Sequence, residues 1–229
     1  MDADPFFDFS PNFGDNITAI MTKKGELTNN SNENRLADCC KKAGVNFDSA
    51  AVPIQTHSDH VKFVSISGNV TDTDGLITDQ TDIILTLSVA DCVPVFMWDE
   101  QTGIFGLIHS GWKGTAKIIV GKAVDQFIKK GSNPNDISVL TGPSICGDCY
   151  EIGDDSARYF KRDALKKLKK NKWLLDLRYV ITNQLIDSGV PENLILIDDR
   201  CTLESEKCES YRRDGIDAGR MTALMWKTN

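Results

Sequence analysis

The stretch Val89–Gly114, VADCVPVFMWDEQTGIFGLIHSGWKG, constrains this chain more than any other. Two apolar runs, Val93–Trp98 and Ile104–Ile108, are parted by the polar turn Asp99-Glu100-Gln101-Thr102-Gly103, the pattern of a β-hairpin with buried strands. Antiparallel pairing returns His109, at the end of the second run, to the end of the ladder where Cys92 precedes the first. Neighbouring strands lie about 5 Å apart, so a thiolate and an imidazole on agreeing faces can reach one ion. Gly111-Trp112-Lys113-Gly114 then predicts a tight turn into a helix, where backbone N–H groups and a lysine can meet an anion.

Histidine is scarce: His57, His60 and His109 are the only three in 229 residues. A catalytic zinc site takes imidazole and thiolate and keeps an open position beside three protein ligands. His57, in Ile54-Gln55-Thr56-His57-Ser58-Asp59-His60-Val61, can complete a set with Cys92 and His109, whereas His60 reads as an ordinary surface residue. The spacings are not a local metal signature, so on the residues alone a satisfied or exposed histidine is the competing reading.

Seven cysteines, two of them adjacent, make a poor disulfide framework and point to reduced thiols. Cys39 and Cys40 fall with Leu36 on the apolar face of a helix expected over Ser31–Ala43, with Ser31 as N-cap and Gly44 as its stop. Cys146-Gly147-Asp148-Cys149 is a C-x-x-C with no second pair at matching distance, and reads as buried or partly buried thiols in a Gly/Pro-rich loop. A net charge of −7 argues against nucleic acid or an anionic membrane as the main partner. No run is long enough to span a bilayer, and the amino end, MDADPFFDFS, is acidic where a secretory signal is basic and then apolar. A cytoplasmic protein is the expectation.

Elsewhere, strands are expected at Ile17–Met21, Lys62–Ser67, Ile83–Val89, Ile137–Leu140 and Leu194–Ile197. Thr115–Lys130 predicts an amphipathic helix with Ala116, Ile119, Val120, Ala123, Val124, Phe127 and Ile128 on one face. The basic run Lys161–Lys172 predicts a solvated helix edged by Leu165 and Leu168, and Leu174–Ile186 a further long helix. Strands scattered among helices without strict alternation give an α+β class, mixed β-sheets flanked by helices, in one domain over residues 1–229.

Six boxes in order resemble the YfiH-like, laccase-domain family, whose members also carry the names polyphenol oxidase and purine nucleoside phosphorylase. They are Gln55-x-His57-x-x-x-Val61, Asp74-Gly75-Leu76-Ile77-Thr78, Ala90-Asp91-Cys92-Val93-Pro94-Val95 and His109-Ser110-Gly111-Trp112-Lys113-Gly114. Gly142-Pro143-Ser144-Ile145 with Cys149-Tyr150-Glu151, and Ser210–Gly215 with Gly219-Arg220-Met221, complete them. The resemblance runs from about Ile17 to Trp226 and implies a fold similar to that of the toxin deamidases.

It also implies that His57, Cys92 and His109 bind zinc, and that the activity is phosphorolysis of adenosine, inosine and methylthioadenosine, with adenosine deamination alongside. Such chemistry needs an acid near the purine and a cationic clamp on phosphate. Lys113, Arg212 and Arg213 are the expected clamp, Asp91 a proton shuttle or support for a ligand, and Gln55 a contact to substrate or ligand. A Thr-Arg-x-Gly-Gly turn common in the family appears here as Thr22-Lys23-Lys24-Gly25-Glu26, passing a cationic role to Lys23 without the arginine fork. The implied partners are purine nucleosides and phosphate, handled by a monomer or homodimer. Copper in the same three-ligand site, giving phenol oxidation, is one alternative. Others are a Cys–His hydrolase or deamidase with Cys92 as nucleophile, and a zinc-stabilised interaction module.

Overall fold

Residues 4–27 and 31–228 are described by the computed structural model of the chain. Strands β1 (Phe6–Asp8) and β2 (Ile17–Thr22) precede helix α1 (Asn32–Lys42). After it come β3 (Ala50–Pro53), β4 (Val61–Phe63), β5 (Gly68–Val70), β6 (Gly75–Thr78) and β7 (Ile84–Val89). The hairpin of β8 (Val93–Asp99) and β9 (Ile104–Ser110) leads to α2 (Trp112–Ala116) and α3 (Ile119–Lys129). Next are β10 (Ile137–Thr141), β11 (Glu151–Gly153), α4 (Asp154–Ala157), β12 (Leu165–Lys169), β13 (Lys172–Leu175) and α5 (Leu177–Asp187). The chain then forms β14 (Ile195–Ile197), α6 (Tyr211–Asp214) and β15 (Met221–Lys227).

Alternation along these strands builds the layers. In β8, Val93, Val95 and Met97 pack toward α3 and α5, whereas Phe96 and Trp98 pack toward β2, β7 and β15. Ile104 and Ile108 of β9 take the helical side, and Phe105 and Leu107 the other. Strands buried on both faces read as continuous apolar runs rather than as alternating ones, which is the pattern of the hairpin sequence. Leu85, Leu87 and Val89 of β7 face the hairpin, and Ile84 faces the Leu36, Cys39 and Cys40 stripe of α1. The order across the molecule is therefore helix, sheet, sheet, helices. One six-stranded sheet runs β1-β2-β15-β7-β3-β5 and the other β14-β10-β8-β9-β6-β4, each mixing parallel and antiparallel pairs. A small antiparallel sheet, β11-β13-β12, lies beside them. Among the described residues, no helix is long and apolar enough to cross a membrane.

The hairpin, the Ser31-capped α1 and its buried cysteines match expectation; burial pushes the Cys40 thiol up to about 11. Three segments differ. The helix expected over Thr115–Lys130 starts earlier and breaks at Ile118, which stands at φ +62°, a left-handed conformation rare for a β-branched residue. The break redirects the chain, so that α2 stays at the end of β9 while Ile119, Val120, Ala123, Val124 and Phe127 of α3 are buried. The basic run Lys161–Lys172 is not a helix. It enters the β12–β13 hairpin through a turn holding Asn171 at φ +62°, and Arg162 and Lys167 lie over the Trp173 ring at 4.7 and 4.4 Å. Lysine favours helices by propensity, but cross-strand pairing and cover for a large ring outweigh that preference. Residues 174 and 175 complete β13, and α5 starts only after Asp176, whose carboxylate accepts the Tyr179 amide at 3.0 Å as its N-cap. The strand expected over Lys62–Ser67 is the shorter β4.

Candidate metal centre

The chain passes from one large sheet to the other in the loop between β3 and β4 and again between β7 and β8. His57 lies in the first crossing and Cys92 in the second. His109 sits near the end of β9, opposite Pro94 of β8, in the register that hairpin pairing requires. The three side chains converge: one ligand atom from each of His57, Cys92 and His109 lies within 4.8 Å of the other two. The imidazoles meet edge to face, with ring centroids 4.9 Å apart. His109 is buried, Cys92 partly exposed and His57 exposed, so the set opens to solvent on one side.

Both crossings are strained. His57 stands at φ +57° and Asp91, beside Cys92, at φ +80°, left-handed conformations that cost non-glycine residues free energy and occur at functional sites. Hydrogen bonds hold them. Asp74, fully buried just before β6, accepts the backbone amides of His57 and Ser58 at 3.1 and 2.6 Å and the Ser58 hydroxyl at 2.7 Å. Its Oδ1 also takes Nδ1–H of His109 at 2.8 Å. An ionised carboxylate only accepts, so Nδ1 carries a proton and Nε2 is the nitrogen that faces Cys92 and that a metal would take in place of a proton.

Electrostatics follow from this packing. Burial alone would raise the Asp74 carboxyl, but the hydrogen bonds from His109 and Ser58 outweigh it and hold it well below the usual range. Burial alone would lower His109; the Cys92 charge and the Asp74 hydrogen bond instead raise it to about 9. Burial opposes thiolate formation at Cys92, but His109 and then His57 bring it down to about 6. The thiol is thereby prepared as a thiolate, the form in which cysteine binds metals or attacks.

Close approach at the turn completes the pocket. A Cβ on Gly111 would meet Sγ of Cys92 at 2.9 Å and Cδ2 of His57 at 3.3 Å, so only glycine fits there without moving two ligands.

Other residues singled out from sequence are placed as follows. Asp91 uses both carboxylate oxygens on other segments, Oδ1 accepting the Thr202 hydroxyl at 2.6 Å and Oδ2 the Arg212 amide at 2.7 Å. Gln55 uses both ends of its amide on the Ser88 backbone, at 3.0 Å each, standing in for a strand partner of β7. Lys113 is exposed in α2 near the Trp112 ring, and Arg212 is exposed with its guanidinium 5.3 Å from the Tyr150 ring centroid. Neither makes an ion pair among the described residues. Arg213 commits its guanidinium to Asp214 and to the carbonyls of Thr202, Leu203, Ser205 and Cys208. Lys23 donates to the Asp4 carbonyl at 2.5 Å, and its Nζ lies 5.6 Å from the Phe7 ring centroid. Of the three residues expected as the clamp, Arg213 is thus committed to an ion pair, and Lys113 and Arg212 are not. His60 pairs with exposed Asp72 at 3.0 Å, outside the set.

Two residues gain roles that sequence reading did not give them. Asp74 is the carboxylate that orients two ligands at once. Tyr150 is close enough to Cys92 that burial, and then the thiolate's charge, push its phenol up, against the pull of Arg212. Both stand inside quoted boxes, and their pairing with the site depends on contacts between distant segments.

The family model described as multi-copper polyphenol oxidoreductase laccase matches residues 18–228. The purine nucleoside phosphorylase YlmD of Bacillus subtilis is 39% identical over 162 residues, 67% of this chain and 58% of that protein. The match therefore spans less than two thirds of that relative. The adenosine deaminase RL5, from an unknown prokaryotic organism, is 32% identical over 199 residues, covering 77% of this chain and 74% of that one. The crystal structure of the Bacillus licheniformis hypothetical protein YfiH superposes with a TM-score of 0.89 at 26% identity, over 99% of this chain and 98% of that one. Convergence of the six boxes on one strained, carboxylate-braced cleft, with a match along nearly the whole chain, places this protein in the YfiH-like multi-copper polyphenol oxidoreductase laccase family.

Proposed function

We propose that this chain is a zinc-dependent purine nucleoside phosphorylase with adenosine deaminase side activity, acting in the cytoplasm. The observation that carries the reading is the convergence of His57, Cys92 and His109 within 4.8 Å. Two imidazoles and one thiolate suit zinc, and three protein ligands leave a position open. Copper fits the same donors, but three histidines are too few for a multicopper cluster. Bound zinc supplies a Lewis acid that lowers the pKa of water, the chemistry that deamination at purine C6 requires. Seven free cysteines support a reducing compartment.

The remaining work falls to the chain's own side chains. Cleavage of a glycosidic bond builds positive charge on the ribose and negative charge on the departing purine. Lys113 and Arg212 provide unpaired cations to hold phosphate against the ribose. Asp91 fixes Arg212 through its backbone amide, acting as a positioning residue. Tyr150, kept protonated, donates a hydrogen bond to the departing base.

The test is to incubate metal-quantified protein with adenosine or inosine, with and without phosphate, and identify products. Ribose 1-phosphate formed only with phosphate is expected, with some inosine from adenosine; absence of both products overturns the proposal. The Asp74–His109–Cys92 alignment also favours a second reading, a hydrolase or deamidase with Cys92 as nucleophile and His109 as its base. His57 has no part in that chemistry, so His57→Ala separates the two: activity lost with metal supports the phosphorylase, activity kept without metal the thiol enzyme.

A further inference from the structure

A second set of soft ligands assembles on loops outside this centre. Cys146, Cys149, Cys201 and Glu204 each present one ligand atom within 4.8 Å of all the others. Cys146 and Cys149 are three apart in a turn closed by the Cys149 amide on the Cys146 carbonyl at 3.1 Å, and Cys201 and Glu204 repeat that spacing. No local signature marks the set, because the second pair ends in a carboxylate and lies far along the chain.

The two loops are fastened independently of any ion. Ser144 and Cys201 form a parallel bridge, and the Thr202 amide donates to the Ser144 carbonyl at 3.1 Å. Buried Arg178 of α5 reaches the Ser144 hydroxyl at 2.8 Å, the Ser144 carbonyl at 2.6 Å and the Arg200 carbonyl at 2.5 Å. A Cβ on Gly147 would lie 2.8 Å from Cβ of Asp176, so the Cys146–Cys149 turn is seated tightly on the start of α5.

Dimensions and chemistry agree with a cation. Zinc–sulfur bonds of about 2.3 Å and zinc–oxygen bonds of about 2.1 Å imply tetrahedral edges of about 3.8 Å between sulfurs and about 3.6 Å from sulfur to oxygen. Cys149 Sγ lies 3.5 Å from Glu204 Oε1, and no pair in the set exceeds the 4.8 Å bound, so closure needs shifts of about 1 Å or less. Cys201 Sγ already accepts the Cys146 amide at 3.4 Å. We propose that Cys146, Cys149, Cys201 and Glu204 hold a second zinc-class divalent cation, in a closed site with four protein ligands.

Four protein ligands leave no open position, so the site is structural. Burial opposes ionisation at Cys201, but the Cys146 amide and thiol and the Glu204 and Leu203 amides outweigh it; burial and the neighbouring sulfurs raise Cys149. Binding a dication releases whatever protons its sulfur ligands carry. The ion would clamp the loop carrying Tyr150 to the loop carrying Thr202, and Thr202 is a direct partner of Asp91. This inference does not depend on the reaction proposed above.

The test loads anaerobically purified, metal-stripped full-length protein with Co²⁺ and reads stoichiometry with the sulfur-to-cobalt charge-transfer absorption. Two ions per chain are expected. Cys146→Ser/Cys149→Ser should keep one ion and lose most of that absorption, whereas His57→Ala/Cys92→Ala should keep one ion and most of the absorption. Alkylation mapping of the wild-type chain guards against misfolded variants: Zn²⁺ should shield Cys146, Cys149 and Cys201 together, by tenfold or more in rate. A single ion per chain lost on His57→Ala/Cys92→Ala, equal alkylation with and without Zn²⁺, or a Cys146–Cys149 disulfide in the purified protein would overturn the proposal.

Discussion

Oδ1 of Asp74 lies 2.8 Å from Nδ1 of His109 and 3.1 Å from the backbone nitrogen of His57, so one buried carboxylate sets two of the three candidate ligands. Replacing it by Asn keeps the shape, but the amide's single oxygen cannot serve every donor that now faces the carboxylate. Asp74→Asn is expected to weaken zinc binding by about 10–100-fold. Competition against a chromophoric chelator measures this, and unchanged affinity would count against the bracing role.

The same carboxylate predicts acid sensitivity. Because Asp74 titrates lower in the folded chain than the unfolded value of about 3.9, its stabilisation is complete above that pH and is lost as pH falls toward the folded value. Urea unfolding of the metal-free protein should therefore show stability dropping below about pH 4. Asp74→Asn should be less stable at neutral pH and should lack this component of the acid slope.

Gly111→Ala tests the close approach to Cys92. The added methyl falls 2.9 Å from Sγ, so the ligand must move while the surrounding sheets need not. Metal content at limiting zinc should fall several-fold, with Tm of the metal-free chain within about 4 °C of the parent, a shift worth roughly 1–2 kcal/mol in a chain this size.

Arg212 and Arg213 are neighbours with separate jobs. Arg212→Ala should raise KM for phosphate about tenfold or more with little change in Tm, because its guanidinium contacts only the Tyr150 ring among the described residues. Arg213→Ala removes the clamp on four backbone carbonyls and should cost about 2 kcal/mol in stability. Phosphate-dependence kinetics and thermal unfolding of both variants separate the two; a stability loss confined to Arg212→Ala would reverse the assignment.

Much of this was legible in the residues, for reasons that particular positions make plain. Val93 to Ile108 show their hairpin because both faces of the strands are buried and a polar turn divides them. Ile119 to Phe127 show their helix because the stripe keeps helical spacing up to the core. His57, Cys92 and His109 stood out in a chain with three histidines. Asp74 did not, being one of 33 acidic residues whose importance rests on a strand pairing, Gly75 with Ile108, that sequence spacing does not reveal. Cys201 and Glu204 were invisible beside the C-x-x-C for the same reason. The Lys161–Lys172 run reads as a helix because Leu165 and Leu168 keep helical spacing, while Trp173 and the strand pairing that claim it lie beyond what spacing shows.

The β3–β4 and β7–β8 connections, two of the crossings between the sheets, have a kinetic consequence. Cys92 meets His109 as soon as β8 and β9 pair, whereas His57 rides on the separate β3–β4 connection and joins them only when that connection is in place. An ion that needs all three is therefore expected to bind only once His57 has joined the hairpin pair, late in folding. Refolding should run at the same rate with or without zinc, while unfolding slows as zinc is added, making the bound metal a lock on the finished molecule rather than a guide to its assembly.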